Sequence, residues 1–172
     1  MRTSTNLNVG LAEKSVRHYI QKGKPMPCPE DLPENLRQKA GAFVSIKKKK
    51  KLRGCIGTLK PRERDLAHEI IQNAISAATK DPRFSPVSKE ELDDLTISVD
   101  VISALEKVDS LSQLDAKVYG VVVKNKGKQG VLLPDLEGIE SPEEQIQICR
   151  MKANIKEDDP VELYRFTVKR YT

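Results

Sequence analysis

Two β-like apolar runs, Ala42-Phe43-Val44-Ser45-Ile46 and residues 52–59, are separated only by five consecutive lysines at positions 47–51. Runs of this length and composition around a short polar insert form a hairpin, so a strongly cationic tip is expected. The second run reads Leu52-Arg53-Gly54-Cys55-Ile56-Gly57-Thr58. Gly54 and Gly57, on either side of the Cys55-Ile56 pair, let the backbone turn sharply and come close to its surroundings. Alternation puts Leu52, Gly54, Ile56 and Thr58 on one side of the strand and Arg53, Cys55, Gly57 and Leu59 on the other. On that parity Cys55 and Arg53 can meet. A bulge at either glycine would undo it.

The remaining elements follow from periodicity. Residues 11–20 place Ala12, Val16, Tyr19 and Ile20 on one helical face, with Gly23 as the stop and His18 exposed off the stripe. Residues 24–33 hold four prolines and Cys28 and form an extended connector. Over residues 64–79, Leu66, Ala67, Ile70, Ile71, Ala74, Ala77 and Ala78 form a helical apolar arc. His68 falls opposite that arc and faces solvent, whereas Asn73 sits at its edge and points inward. A buried amide must find hydrogen-bond partners, so Asn73 fixes a loop or lines a pocket. Asp81-Pro82-Arg83-Phe84-Ser85-Pro86 reads as a rigid turn, because a residue before proline is driven out of helical geometry. Residues 95–101 alternate strictly, with Leu95, Ile97, Val99 and Val101 on one face.

The second half repeats this order. Residues 118–124 and 130–133 pair around a tip at 125–128, after a polar connection at 108–116. Ser141, Pro142 and Glu144 are an N-cap, a first helical position and a capping box, and start a helix to about residue 153. Ile146, Cys149 and Ala153 share its apolar face, and residues 161–171 read as a final strand. Hairpin, helix and strand thus occur twice, and Gly41-Ala42-Phe43-Val44 is faintly echoed by Gly120-Val121-Val122-Val123. The expected fold is a single domain over residues 1–172 of α+β class, mostly antiparallel sheet with covering helices. Two interlocked lobes, roughly residues 1–105 and 106–172, and an internal duplication are expected within it.

Net charge is +5, a surplus the five lysines alone supply. Such a potential attracts phosphate, carboxylate, nucleic acid or an acidic protein, though lysines also keep a bare hairpin or edge strand soluble. With no tryptophan and seven tyrosines and phenylalanines together, a stacking platform is missing and nucleic-acid binding is disfavoured. The three cysteines are widely spaced and form no CxxC pair, and neither histidine has a second ligand at metal spacing. No disulfide framework, structural metal or cofactor is called for. No apolar run is long enough to cross a bilayer, and residues 1–6 lack the apolar core of a secretion signal, so a soluble cytoplasmic protein is expected.

Cys55 is the main chemical candidate. Arg53, the lysine run and nearby backbone N–H groups favour its thiolate, which could attack a carbonyl or bind a soft metal. From composition alone the favoured reading is a small apolar residue in a tight strand, since no histidine is placed as its base. Arg53 and Arg83 suit bidentate capture of a carboxylate or phosphate, or ion pairs that brace a loop with Asp81. Cys149 is a core residue, and Cys28 carries no chemistry.

These residues resemble the AMMECR family. Leu52-Arg53-Gly54-Cys55-Ile56-Gly57-Thr58 is similar to its signature. Asn73-Ala74 with Ala77-Ala78, Asp81-Pro82-Arg83-Phe84, Ile97-Ser98-Val99, Gly120-Val121-Val122-Val123, Leu132-Leu133-Pro134 and Val161-Glu162-Leu163-Tyr164-Arg165-Phe166 follow at the family's spacing. Many eukaryotic and archaeal members continue after Leu132-Leu133-Pro134 with glutamine and, further on, tryptophans. Here Asp135-Leu136-Glu137-Gly138-Ile139 follows, as in the short prokaryotic branch called AmmeMemoRadiSam system protein A. The resemblance implies a two-lobed α+β fold with a cleft lined by the arginine-glycine-cysteine segment. Cys55 and Arg53 would then be catalytic, and Gly54, Gly57, Asn73, Asp81 and Arg83 would bind a small anionic ligand. It also implies a pathway shared with a Memo-type protein, similar to ring-opening dioxygenases, and a radical S-adenosylmethionine (SAM) enzyme. The chain would be an enzyme or enzyme subunit there, or a non-catalytic accessory module.

Overall fold

The computed structural model describes residues 6–172. In chain order the elements are α1 (Leu7–Lys22), α2 (Glu34–Arg37), β1 (Ala42–Lys48), β2 (Lys51–Gly57), α3 (Leu66–Thr79), β3 (Leu95–Ile102), β4 (Glu106–Val108), β5 (Gly120–Asn125), β6 (Lys128–Leu132), α4 (Pro142–Ala153), β7 (Glu162–Phe166) and β8 (Val168–Tyr171). The class is α+β, with two four-stranded sheets ordered β2-β1-β3-β8 and β4-β7-β5-β6. The chain divides into two compact units, one running to Ile102 and including Lys169–Thr172, the other Ser103–Val168.

In the first unit, α1 begins where Asn6 accepts from the N–H groups of Asn8 and Val9 and stops at Gly23, in left-handed geometry at φ 71°. The start at Leu7, four residues ahead of the expected residue 11, is set by this asparagine cap. Val9, Ala12 and Val16 of α1 meet Ala67, Ile70 and Ala74 of α3 and Val44, Ile46 and Val99 of the sheet in one buried cluster. Burying a valine or isoleucine in this way contributes roughly 1.5–3 kcal/mol. Both helices lie on the sheet face that carries Ala42, Val44, Ile46, Leu95, Ile97 and Val99. The strict alternation of β3 therefore sorts its side chains between the helix layer and a second face, free of α1 and α3.

The lysine run is mostly strand rather than tip. Lys47 and Lys48 extend β1, Lys51 opens β2, and Lys49 and Lys50 alone form the turn, at φ 50° and 67°. The register runs Phe43↔Gly57, Val44↔Ile56, Ser45↔Cys55, Ile46↔Gly54, then slips to Lys47↔Leu52. Arg53 is thus an extra residue in a β-bulge, which breaks the simple alternation of β2.

In the second unit, Val121, Val123, Leu132, Cys149 and Ile155 build the core under α4. Ser141, Pro142 and Glu144 start α4 as a full capping box. Gln145 is buried on this helix as well, its Nε2 donating to the Tyr119 carbonyl at 3.0 Å. The terminal run 161–171 is two strands rather than one. At Thr167 the ladder stops, because Ser103 takes its backbone: Ser103 N–H donates to the Thr167 carbonyl at 3.0 Å and Thr167 N–H to Ser103 Oγ at 2.9 Å. Beyond it β8 lies beside β3 in the first sheet, where Arg170 grips Asp100 at 2.7 and 3.1 Å. β4 gives no sequence signal, since Glu106-Lys107-Val108 holds a single apolar residue and is too short to show alternation.

The units share a sheet order, with the first hairpin strand between its partner and the strand after the helix. They also share a close approach. A Cβ on Gly54 would lie 2.1 Å from the Ala77 carbonyl oxygen of α3, and one on Gly130 would lie 2.0 Å from that of Cys149 in α4. A common origin is not shown by this likeness. No described helix is long and apolar enough to cross a membrane.

Candidate functional site

The bulge decides which residues surround Cys55. Opposite Ser45 in the register, Cys55 shares the face free of α1 and α3 with Phe43, Ser45, Ser98 and Asp100, because β1 pairs Ser45 with Ser98 and Phe43 with Asp100. The Ser45 hydroxyl donates to Cys55 Sγ at 3.3 Å. Gly57 belongs to the same face, where a Cβ would meet the Phe43 ring at 2.2 Å. The missing side chain lets that ring lie over the strand at Gly57.

Asp81 and Arg83 join this group from the turn after α3. That helix ends at Thr79, and Pro82 forces the chain away from it. The turn brings the Asp81 carboxylate to the outer edge of β2, where it accepts the Cys55 N–H at 2.9 Å. An edge strand's outward donor is thereby satisfied inside the fold. The same carboxylate accepts the Arg83 N–H at 3.0 Å, Nε at 3.0 Å and Nη2 at 2.8 Å. Arg83's hydrogen bonds hold the buried Asp81 carboxyl far below the usual carboxylate range, against the opposing effect of its burial. The Arg83 side chain remains 56% exposed, and its Nη1 makes no hydrogen bond among the described residues. Its charge also acts on the thiol.

Burial pushes the Cys55 thiol above its ordinary 9.0, and the charges of Asp100 and Asp81 add to that. The Ser45 hydrogen bond and the Arg83 charge oppose the rise without cancelling it. The resting group is a thiol, not the thiolate expected from a cationic neighbourhood. Cys149, fully buried, is pushed up to about 11 by the same desolvation.

The structure places the other sequence candidates elsewhere. Arg53 reaches Glu91, with Nε to Oε1 at 3.0 Å and Nη2 to Oε2 at 2.9 Å, and donates to the carbonyls of Ser85 and Pro86 at 2.8 and 3.3 Å. Its guanidinium braces the 85–91 segment, and Arg83 is the cation whose charge bears on Cys55. Gly54 and Asn73 belong to the helix-facing side of the sheet. Asn73 Nδ2 donates to the Ala42 carbonyl at 2.9 Å and to Thr58 Oγ1 at 3.2 Å, so it fixes a loop. His68 is half-buried rather than solvent-facing, since its Nδ1 lies 2.6 Å from Asp65 Oδ1, the cap of α3. His18 is also only half-exposed, with Nε2 buried.

Beside Asn73, the fully buried Glu69 accepts from the Thr58 hydroxyl at 2.5 Å and from the N–H groups of Arg62 and Glu63 at 2.9 and 2.8 Å. This carboxylate holds the loop between β2 and α3. Glu69→Ala is expected to lower unfolding stability by about 2 kcal/mol, since Arg62 and Glu63 can turn to water but Thr58 cannot. Glu69→Gln, which keeps an acceptor oxygen, should cost less. Urea unfolding checks both.

Ser45, Ser98, Asp100 and Glu91 were not picked out from the sequence. The alternation of 95–101 held the signal for Ser98 and Asp100, and Ser88 followed three residues later by Glu91 is a capping-box pattern. Only the strand register places Ser98 beside Ser45, and no single segment contains it.

Fold and site together define an α+β protein of two sheet-and-helix units with a cysteine-centred polar sheet face. The AMMECR1 family profile matches residues 9–171, and the chain belongs to that family. A protein of Thermotoga maritima is 50% identical over 166 residues, covering 95% of both chains. A protein of Clostridium acetobutylicum is 43% identical over 165 residues, which are 95% of this chain and 35% of that one. The crystal structure of an uncharacterized protein from Pyrococcus horikoshii superimposes with a TM-score of 0.86 at 30% identity, over 95% of this chain and 88% of that one.

Proposed function

We propose that the chain is an enzyme, or the subunit of one, that takes a small anionic substrate against the face of its first sheet that is free of α1 and α3. Cys55 is the reacting group and Arg83 the anion-holding group. The observation that carries this reading is that the Cys55 thiol accepts from the Ser45 hydroxyl while the carboxylate that takes the Cys55 N–H, Asp81, also locks the exposed Arg83 guanidinium in place. Arg83 keeps Nη1 for a carboxylate or phosphate oxygen, and a guanidinium is suited to that geometry. The Phe43 ring offers an apolar contact for the rest of such a molecule. Nucleophilic use of Cys55 requires its proton to leave as the sulfur attacks, because the resting thiol is neutral at pH 7.

Native thiol labelling across pH tests this in a Cys28→Ser background, where Cys149 is buried. One thiol should react, with its midpoint above 9.0. Arg83→Gln should move that midpoint higher, since a positive charge that favours the thiolate is removed. A Cys55 that reacts only after denaturation would end the proposal.

A second reading has the domain as an accessory module for a Memo-type protein and a radical SAM enzyme. The matched region is 35% of the Clostridium relative, so a domain of this kind also occurs inside a longer chain. Co-purification and pathway output untouched by Cys55→Ser would favour this reading over the first.

A further inference from the structure

We propose that the β1–β2 hairpin tip is a docking point for an acidic protein segment that carries an apolar side chain. This rests on the tip alone and is independent of chemistry at Cys55. Lys47, Lys49, Lys50 and Lys51 are exposed, and none of the four has an ion pair among the described residues. Lys48 differs, since its ammonium reaches Glu91 at 3.0 Å.

The backbone argues that the charge is not incidental. Both turn residues, Lys49 and Lys50, hold positive φ. A two-residue turn of this kind favours Asn-Gly, and a side chain at each position strains it. The other hairpin makes the contrast: its tip is Lys126-Gly127, with glycine at the second position, at φ 83°. The first tip therefore keeps a second lysine where glycine would relieve strain. Strain held in an exposed turn points to a use for the residues that cause it.

The kind of partner follows from the surroundings. Leu52 stands opposite Lys47 in the register and is 40% exposed, an apolar contact within the cationic patch. Carboxylates around a leucine or similar side chain match that pattern. A nucleic acid backbone offers nothing to Leu52, and the tip carries no aromatic residue for a base to stack on.

Binding of the full chain to a synthetic peptide of glutamates interspersed with leucines tests the proposal, with duplex DNA and phosphatidylserine vesicles as competing probes. The peptide should bind at low salt and weaken about tenfold or more as salt rises from about 50 to 200 mM. Lys49→Asn/Lys50→Gly should weaken it about tenfold while leaving the melting temperature unchanged or higher, since the turn is relaxed. Leu52→Ser should weaken it about threefold or more through lost apolar burial. Absence of peptide binding at low salt, equal affinity in the double variant, indifference to Leu52→Ser, or tighter binding of DNA or vesicles than of the peptide would each overturn the proposal.

Discussion

Gly54→Ala is expected to lower the stability of the first unit by roughly 2–3 kcal/mol, the upper range for overpacking a core. The added methyl would sit 2.1 Å from the Ala77 carbonyl oxygen and 3.1 Å from its carbon. Both are backbone atoms in α3, so no side chain can rotate away, and the helix or the strand must shift. The entropy gained by removing a glycine from the unfolded chain, about 0.4–1 kcal/mol, offsets only part of this. A thermal unfolding midpoint roughly 10 °C lower or more is the expected reading for a unit of this size. A midpoint within a degree or two of the parent would show that the helix–strand contact is looser than described. Gly130→Ala should behave alike in the second unit, where the Cys149 carbonyl is as close. The glycine in the Arg-Gly-Cys segment thus serves the packing of α3, and its side of the strand is not the side of the thiol.

Acid is expected to loosen the first unit progressively as pH falls below about 4.5. Glu91 accepts from Arg53, Lys48 and the Ser88 N–H, and these bonds, Arg53's first, hold its carboxyl down to about 2 from the ordinary 4.5. A carboxylate with a lower pKa folded than unfolded contributes stability that is complete above the unfolded value and is lost as pH falls through the folded one. For Glu91 that window runs from about 4.5 down to about 2, and the shift corresponds to about 3 kcal/mol. Asp81, lowered further by Arg83, adds a loss in the same direction that continues to lower pH. Urea midpoints measured from pH 7 to pH 2 should therefore fall steeply below pH 4.5. Glu91→Gln should lower the midpoint at pH 7 and flatten part of that slope. An unchanged slope would place the acid sensitivity elsewhere.

Much of this architecture can be read in the sequence because local signals and tertiary packing agree. The arc from Leu66 to Ala78 is the buried face of α3, the alternation from Leu95 is β3, and Ser141-Pro142-Glu143-Glu144 caps α4. Other features were not legible for physical reasons. The lysines at 47, 48 and 51 looked like loop because their charge masks strand geometry, whereas a two-residue turn needs only Lys49 and Lys50. The bulge at Arg53 is set by pairing with β1, so the parity that joined Arg53 to Cys55 failed. The cation whose charge acts on the thiol came instead from Arg83, about thirty residues away along the chain, through a turn that Pro82 makes and Asp81 fastens. The polar face of Ser45, Ser98 and Asp100 depends on register between three strands, which local periodicity does not encode.

The claim on which the functional account depends is that Arg83 and Cys55 form one anion-responsive site. Amide NMR of the native chain titrated with inorganic phosphate tests it most directly, because the Cys55 N–H bonds to the carboxylate that holds Arg83. The account predicts saturable shifts at Ser45, Cys55, Asp81 and Arg83 that disappear in Arg83→Gln. Shifts confined to the lysines of the β1–β2 tip, or shifts at Cys55 that persist without the Arg83 guanidinium, would contradict it.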